Sequence, residues 1–265
     1  MDRAPTRGRE RRPRLVLACG SRRACADCRA VALVTTNRKD TKVPKDSMTI
    51  DHGRARPEYR TVAHPVTGDP SAPISVHART VARYARNIRA SIDACSPGDL
   101  IAAREWYADA REVAVTIADR LGVSVEAGAA IVSAFSPRCP WSRNVALAVD
   151  YASGREVRTL GAHVDKANAI VREDRAGRDP WALFVATGAP GTKTYCFGRA
   201  IAGDPDAVTV DVWMMRAAGI IDRDAPTTRQ YREISQAVRD IAGEYGMSPA
   251  QAQAAAWVGA RGSAD

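Results

Sequence analysis

Val81, Tyr84, Ala85, Ile88 and Ile92 recur at intervals of three and four, which predicts an amphipathic helix over residues 76–94. Ser96-Pro97-Gly98-Asp99 ends that pattern and opens a second helix to about Leu121, with Leu100, Ala103, Tyr107, Ala110, Val113, Ile117 and Leu121 on one face. The same reading gives further helices near 125–135, 141–152, 162–173, 180–187, 191–202, 211–219, 228–245 and 248–261. Val208, Thr209 and Val210 are β-branched, but three residues cannot make a sheet, and no other stretch alternates with period two. An all-α fold of about ten helices is expected, without internal repeats.

Upstream of residue 75 the periodicity is missing. Residues 1–47 are basic and poor in aromatics, the signature of a disordered arm. Alternatively, translation starts at Met48 and these residues are not part of the protein. Residues 48–74 carry Pro57, Pro65, Pro70 and Pro73 and read as an extended lead-in. The chain therefore divides into a segment 1–74 and a helical domain 75–265.

Charge follows this division. The formal net charge is +9, but residues 1–47 hold 13 Lys/Arg against 5 Asp/Glu, while the remainder holds 26 against 25. The domain must therefore contact any polyanion through local patches, not through bulk charge. Cys19, Cys25 and Cys28 could supply three zinc ligands, with a fourth from His52, His64 or elsewhere, but at no recognised spacing, so no metal is counted. Cys95, Cys139 and Cys196 sit in apolar helical patterns and read as buried thiols. No window approaches 18 uninterrupted apolar residues, and Leu15 to Gly20 is too short for a signal-peptide core, so a cytoplasmic protein off the membrane is expected.

Candidate chemistry concentrates between Gly188 and Arg216. Gly188 and Gly191 bracket a tight hairpin in this reading, with a helix following from Gly191. Free N–H groups at such a helix start bind anions. Lys193 stands in the first turn, against the helix dipole, and so needs another reason to be there. Asp211 lies 18 residues further on, after Gly203-Asp204-Pro205-Asp206 and an apolar run, where it would cap the next helix.

This arrangement resembles the helix-hairpin-helix DNA glycosylase superfamily (HhH-GPD), which includes endonuclease III and 8-oxoguanine glycosylase. That family's hairpin reads roughly Leu-Pro-Gly-Val-Gly-x-Lys-Thr and its later motif Val-Asp-x-His. Lys193 matches the lysine that is the Schiff-base nucleophile of bifunctional members, and Asp211 matches the essential carboxylate. Gly191 and Thr194 are in register, and Arg216 falls where an arginine often follows the aspartate. Ile131 to Asn144 looks like the family's early helix end, Lys166-Ala167 like its Lys-Ala helix, and Gln251 to Arg261 like its closing helix. Residues 75–262 are covered. The pattern departs at Ala189 and Pro190 in the hairpin, at Trp213 in place of the usual histidine, and at Phe135 in place of a duplex-inserting glutamine. No four-cysteine iron–sulfur signature follows, so no cofactor is expected.

The resemblance implies a DNA glycosylase-like enzyme, a monomer on double-stranded DNA, that removes a damaged or modified base from an extruded nucleotide, with or without lyase chemistry. Lys193 and Asp211 would be catalytic. Gly188, Gly191, Thr192, Thr194, Arg138, Trp141, Arg143, Asn144 and Arg216 would contact DNA. Trp106, Tyr107, Phe135, Ser136 and Trp213 would form the base pocket, since stacking a flipped base needs flat apolar faces. Two alternatives stand beside it. Some phage proteins similar to this superfamily act in thymine hypermodification, and a non-catalytic DNA-binding module would use the hairpin alone. Gln253, Ala254 and Trp257 are expected to pack on the Asp211 helix in a structural role.

Overall fold

The protein is described by a computed structural model over residues 59–62, 74–185 and 189–262, without the side chains of 59–62, 74 and 185–191. The basic arm, its three cysteines and Gly188 lie outside the described residues. Within them the fold is an all-α domain of ten helices: α1 (Ala78–Asp93), α2 (Pro97–Leu121), α3 (Val125–Phe135), α4 (Trp141–Ala152), α5 (Gly161–Arg175), α6 (Ala182–Val185), α7 (Ala189–Ala202), α8 (Val212–Ala217), α9 (Thr228–Ala242) and α10 (Pro249–Arg261).

Side-chain caps set most of the helix starts. Ser96, Thr227 and Ser248 each form a reciprocal capping box with the residue three positions on, and Ser124 accepts from the Ala127 N–H at 3.1 Å. Gly122, at φ 61°, ends α2 in a left-handed turn that a side chain would disfavour.

A two-stranded antiparallel ribbon precedes α1. β1 (Tyr59–Val62) pairs with β2 (Ile74–His77), Tyr59 opposite His77 and Val62 opposite Ile74. This corrects the expectation that 48–74 is only an extended lead-in and that helix begins at residue 76. Val76 is buried in the helical core, and the His77 ring takes over as the cap of α1, accepting from the Thr80 N–H at 3.3 Å.

The core has two lobes. One gathers α1, α8, α9 and α10 around Ile88, Ile92, Met214, Ile234 and Ile241, all fully buried. Burial of each such side chain stabilises the fold by roughly 2 kcal/mol. The other gathers α3 to α6 around Ile117, Ile131, Phe135, Ile170 and Phe184. α2 and α7 serve both lobes, and Trp106, Tyr107 and Tyr195 pack against both. Among the described residues no helix is long and apolar enough to cross a membrane.

Candidate active site

Asp211 is held at the start of α8, in the first lobe, by the extended segment before it. Val208 and Val210 are buried, and the Tyr231 hydroxyl fastens their backbone, donating to the Val208 carbonyl at 2.8 Å and accepting from the Val210 N–H at 3.3 Å. The β-branched run is thus extended without joining a sheet. Asp211 follows at φ −110° as the cap of α8. Its Oδ1 accepts from the N–H groups of Trp213 and Met214, each at 3.0 Å, and its Oδ2 accepts from the indole N–H of Trp257 at 3.1 Å. A carboxylate has about four acceptor positions, so one is left on a half-buried, immobilised group.

A part-buried polar cluster of Tyr107, Thr209 and Gln253 adjoins it. The Tyr107 hydroxyl donates to Gln253 Oε1 at 2.5 Å and bonds Thr209 Oγ1 at 3.3 Å. Burial pushes this hydroxyl well above the ordinary tyrosine range, with the Asp211 charge adding to the rise, so it stays a protonated donor. Trp106 packs edge-on to Tyr107 at 4.9 Å between ring centroids, and lies 5.1 Å from Trp141 and 5.9 Å from Phe197. These partly exposed rings form an aromatic wall running from α2 to α4 and α7. Trp213, half-buried on α8, carries the Arg216 guanidinium over its ring at 4.7 Å.

Lys193 lies on α7 one turn before Phe197, on the same stripe of that helix. It is half-buried and makes no hydrogen bond or ion pair with a described residue, Asp211 included. Lys166 is the other lysine among the described residues. Its Nζ sits 4.2 Å above the Phe184 ring, and burial lowers its pKa. α7 begins at Ala189, so Gly191 is its third residue instead of the hairpin boundary expected, and Lys193 is its fifth. Pro190 suits that first turn because its missing N–H has no partner to lose there.

Several expected contact residues are interior. Phe135 is fully buried in the core of the second lobe, and Asn144 is 1% exposed with its Oδ1 lacking a partner among the described residues. Thr194 is buried, and its carbonyl accepts from the Ser133 hydroxyl where α7 crosses α3. All three side chains are packed in the interior in this structure. The Ser136 hydroxyl is engaged with the Ser133 carbonyl at 2.8 Å and closes α3. Thr192 is half-buried. Trp141 is half-buried in the aromatic wall, while Arg138 and Arg143 are exposed.

Trp257 and Gln253 stand against the Asp211 helix as expected, but sequence reasoning gave them only a structural role, and it missed Thr209. Gln253 and Trp257 stand on the face of α10 that packs against α8, and the signal available for them was that packing alone. Among the described residues no group of three or more His, Cys, Asp or Glu is placed to hold a metal ion. No curated protein and no solved structure matches the chain. Residues 71–264 match the family of unknown function DUF7178, and the chain belongs to that family.

Proposed function

We propose that the protein is a DNA glycosylase-like enzyme that takes an extruded, damaged or modified base from duplex DNA. The observation that carries this reading is the Asp211 carboxylate, fixed by two backbone amides and one indole N–H, half-buried, and near enough to Tyr107 for its charge to act on that hydroxyl. When the bond between the base nitrogen and C1′ breaks, its electron pair leaves with the base and positive charge develops on the sugar. A carboxylate that cannot turn away stabilises that charge without reorganisation. It also accepts a proton from the water that adds to C1′. Trp106, Trp141 and Trp213 offer flat faces for a flipped base. Lys193 is the amine assigned to a lyase step, in which Nζ replaces the water at C1′ and gives its proton to the same carboxylate.

Mass spectrometry of products from duplexes carrying a panel of modified bases tests the reading. Wild type is expected to release one free base, and Asp211→Asn to lower that release by about a thousandfold, the order lost with a principal electrostatic group. Asn still caps a helix, so the variant is expected to stay folded. Borohydride trapping then separates the amines. Loss of the covalent complex in Lys193→Gln, with Lys166→Gln unaffected, supports the lyase step; trapping retained in Lys193→Gln removes that assignment. A base that changes mass while remaining on its sugar would replace base removal with base modification.

A further inference from the structure

Away from Asp211, the turn between α3 and α4 and the loop between α4 and α5 enclose an open groove of about 1040 Å³. Its walls carry Arg138, Arg143, Arg158 and His163, with no acidic residue among the lining side chains. The nearest carboxylate bonded to any of them is Glu156, 3.8 Å from Arg158, and both of those side chains are about four-fifths exposed. A pair so exposed contributes little and is given up readily. Arg143 donates to the Arg158 carbonyl at 3.2 Å, which ties the two loops together and leaves donors for an anion. Arg138 makes no bond with a described residue and is the one non-glycine described residue at positive φ, 56°. That conformation is costly for arginine and holds it at the groove's edge. Leu160 adds a 69% exposed apolar side chain beside His163.

We infer that this groove is a docking surface for the phosphate backbone of a nucleic-acid strand. Three guanidiniums along an open trough exceed what one small anion requires, and a polymer with regularly spaced charge engages them together. The helix ends agree with the charge. Of the eight helices whose N-caps are described, α1, α2, α3, α8, α9 and α10 have side-chain caps, whereas α4 and α5 begin at Pro140 and Leu160 without one. Both uncapped residues line the groove, so an anion there would meet unspent N–H groups. The choice of DNA as the strand rests on the functional reading above; the anionic polymer does not.

The test is fluorescence anisotropy on the full chain with a labelled 20-mer, single-stranded and duplex, across a salt series. Arg158→Glu and the double variant Arg138→Glu/Arg158→Glu lie on exposed loop positions. They are expected to weaken binding at least tenfold and to reduce the salt slope by about one for each phosphate no longer neutralised. Arg86→Glu, an exposed charge reversal on α1, is expected to change neither. Equal losses in all three variants, or an unchanged slope in the double variant, would overturn the groove. So would a duplex affinity matched by anionic-lipid vesicles and lost in parallel with it. Asp211→Asn keeps the two proposals apart: retained binding with no base release leaves the groove standing without the chemistry. Full base release by the double variant at wild-type KM leaves the chemistry without the groove.

Discussion

The Oδ1 of Asp211 is committed to the amides that open α8, whereas Oδ2 carries a bond that can be removed without touching the cap. Trp257→Phe keeps an aromatic ring under the Arg261 guanidinium, which stacks at 4.8 Å, and deletes only the indole donor. A hydrogen bond to a charged group is worth about 1.5–3 kcal/mol, so kcat for base release is expected to fall by roughly 10- to 100-fold. KM should hardly move, and the unfolding free energy should fall by no more than about 3 kcal/mol, the upper contribution of such a bond. Single-turnover kinetics would check this, and an unchanged kcat would mean that the amides alone position the carboxylate. Asp211 was readable from the sequence because a cap residue sits between an apolar run and a helical pattern. Trp257, 46 residues later, was not, because its role exists only once α10 lies against α8.

The helices themselves were largely legible. Ser96, Ser124, Thr227 and Ser248 are local signals, since a cap needs only the three residues after it, and helices start behind each of them. The ribbon of Tyr59–Val62 with Ile74–His77 was not, because its pairing crosses an intervening segment and leaves no periodic trace in either strand. The groove was half-legible for a similar reason: Arg138 and Arg143 stood out beside a proline-rich turn, but Arg158 and His163 join them only through folding. Close helix crossings also escape a pattern reading. A Cβ at Gly259 would lie 1.8 Å from the Ser91 carbonyl oxygen, so α10 approaches α1 to a distance that only glycine permits. Gly259→Ala is expected to lower the unfolding free energy by about 3 kcal/mol, the upper range for overpacking. Gly243→Ala meets nothing within 4 Å at φ −63°, and should be neutral or stabilise by up to about 1 kcal/mol. Urea titrations of both variants compare crowding with backbone entropy, and equal stabilities would refute the close crossing.

Joining two lobes through α2 and α7 places polar groups deep inside, and their titration governs how the fold responds to alkali. Cys196 on α7 is buried against the Tyr231 hydroxyl. Burial pushes its thiol up to about 11 from 9.0, opposed by the Tyr231 hydrogen bond and by Arg239 and Arg199, and abetted by Asp204. Tyr231 is likewise raised, first by burial and then by Cys196. Both groups therefore keep protons in the folded state that the unfolded chain releases. The stability this represents is complete below pH 9 and is lost as pH climbs through about 11. For the thiol alone, a shift of this size corresponds to on the order of 2–3 kcal/mol. Cys196→Ala removes that contribution while leaving Cys95 and Cys139, also raised by burial, in both proteins. Denaturant unfolding from pH 8 to 11 should show a steep decline in wild type and a shallower one in the variant, whose deficit at pH 8 closes as pH rises. Parallel declines would place the alkaline sensitivity in Tyr231 and deny the thiol its part. The residue that titrates is four positions from Ala200 and three from Lys193, on the helix both lobes share, so its ionisation would loosen the helix that carries Lys193.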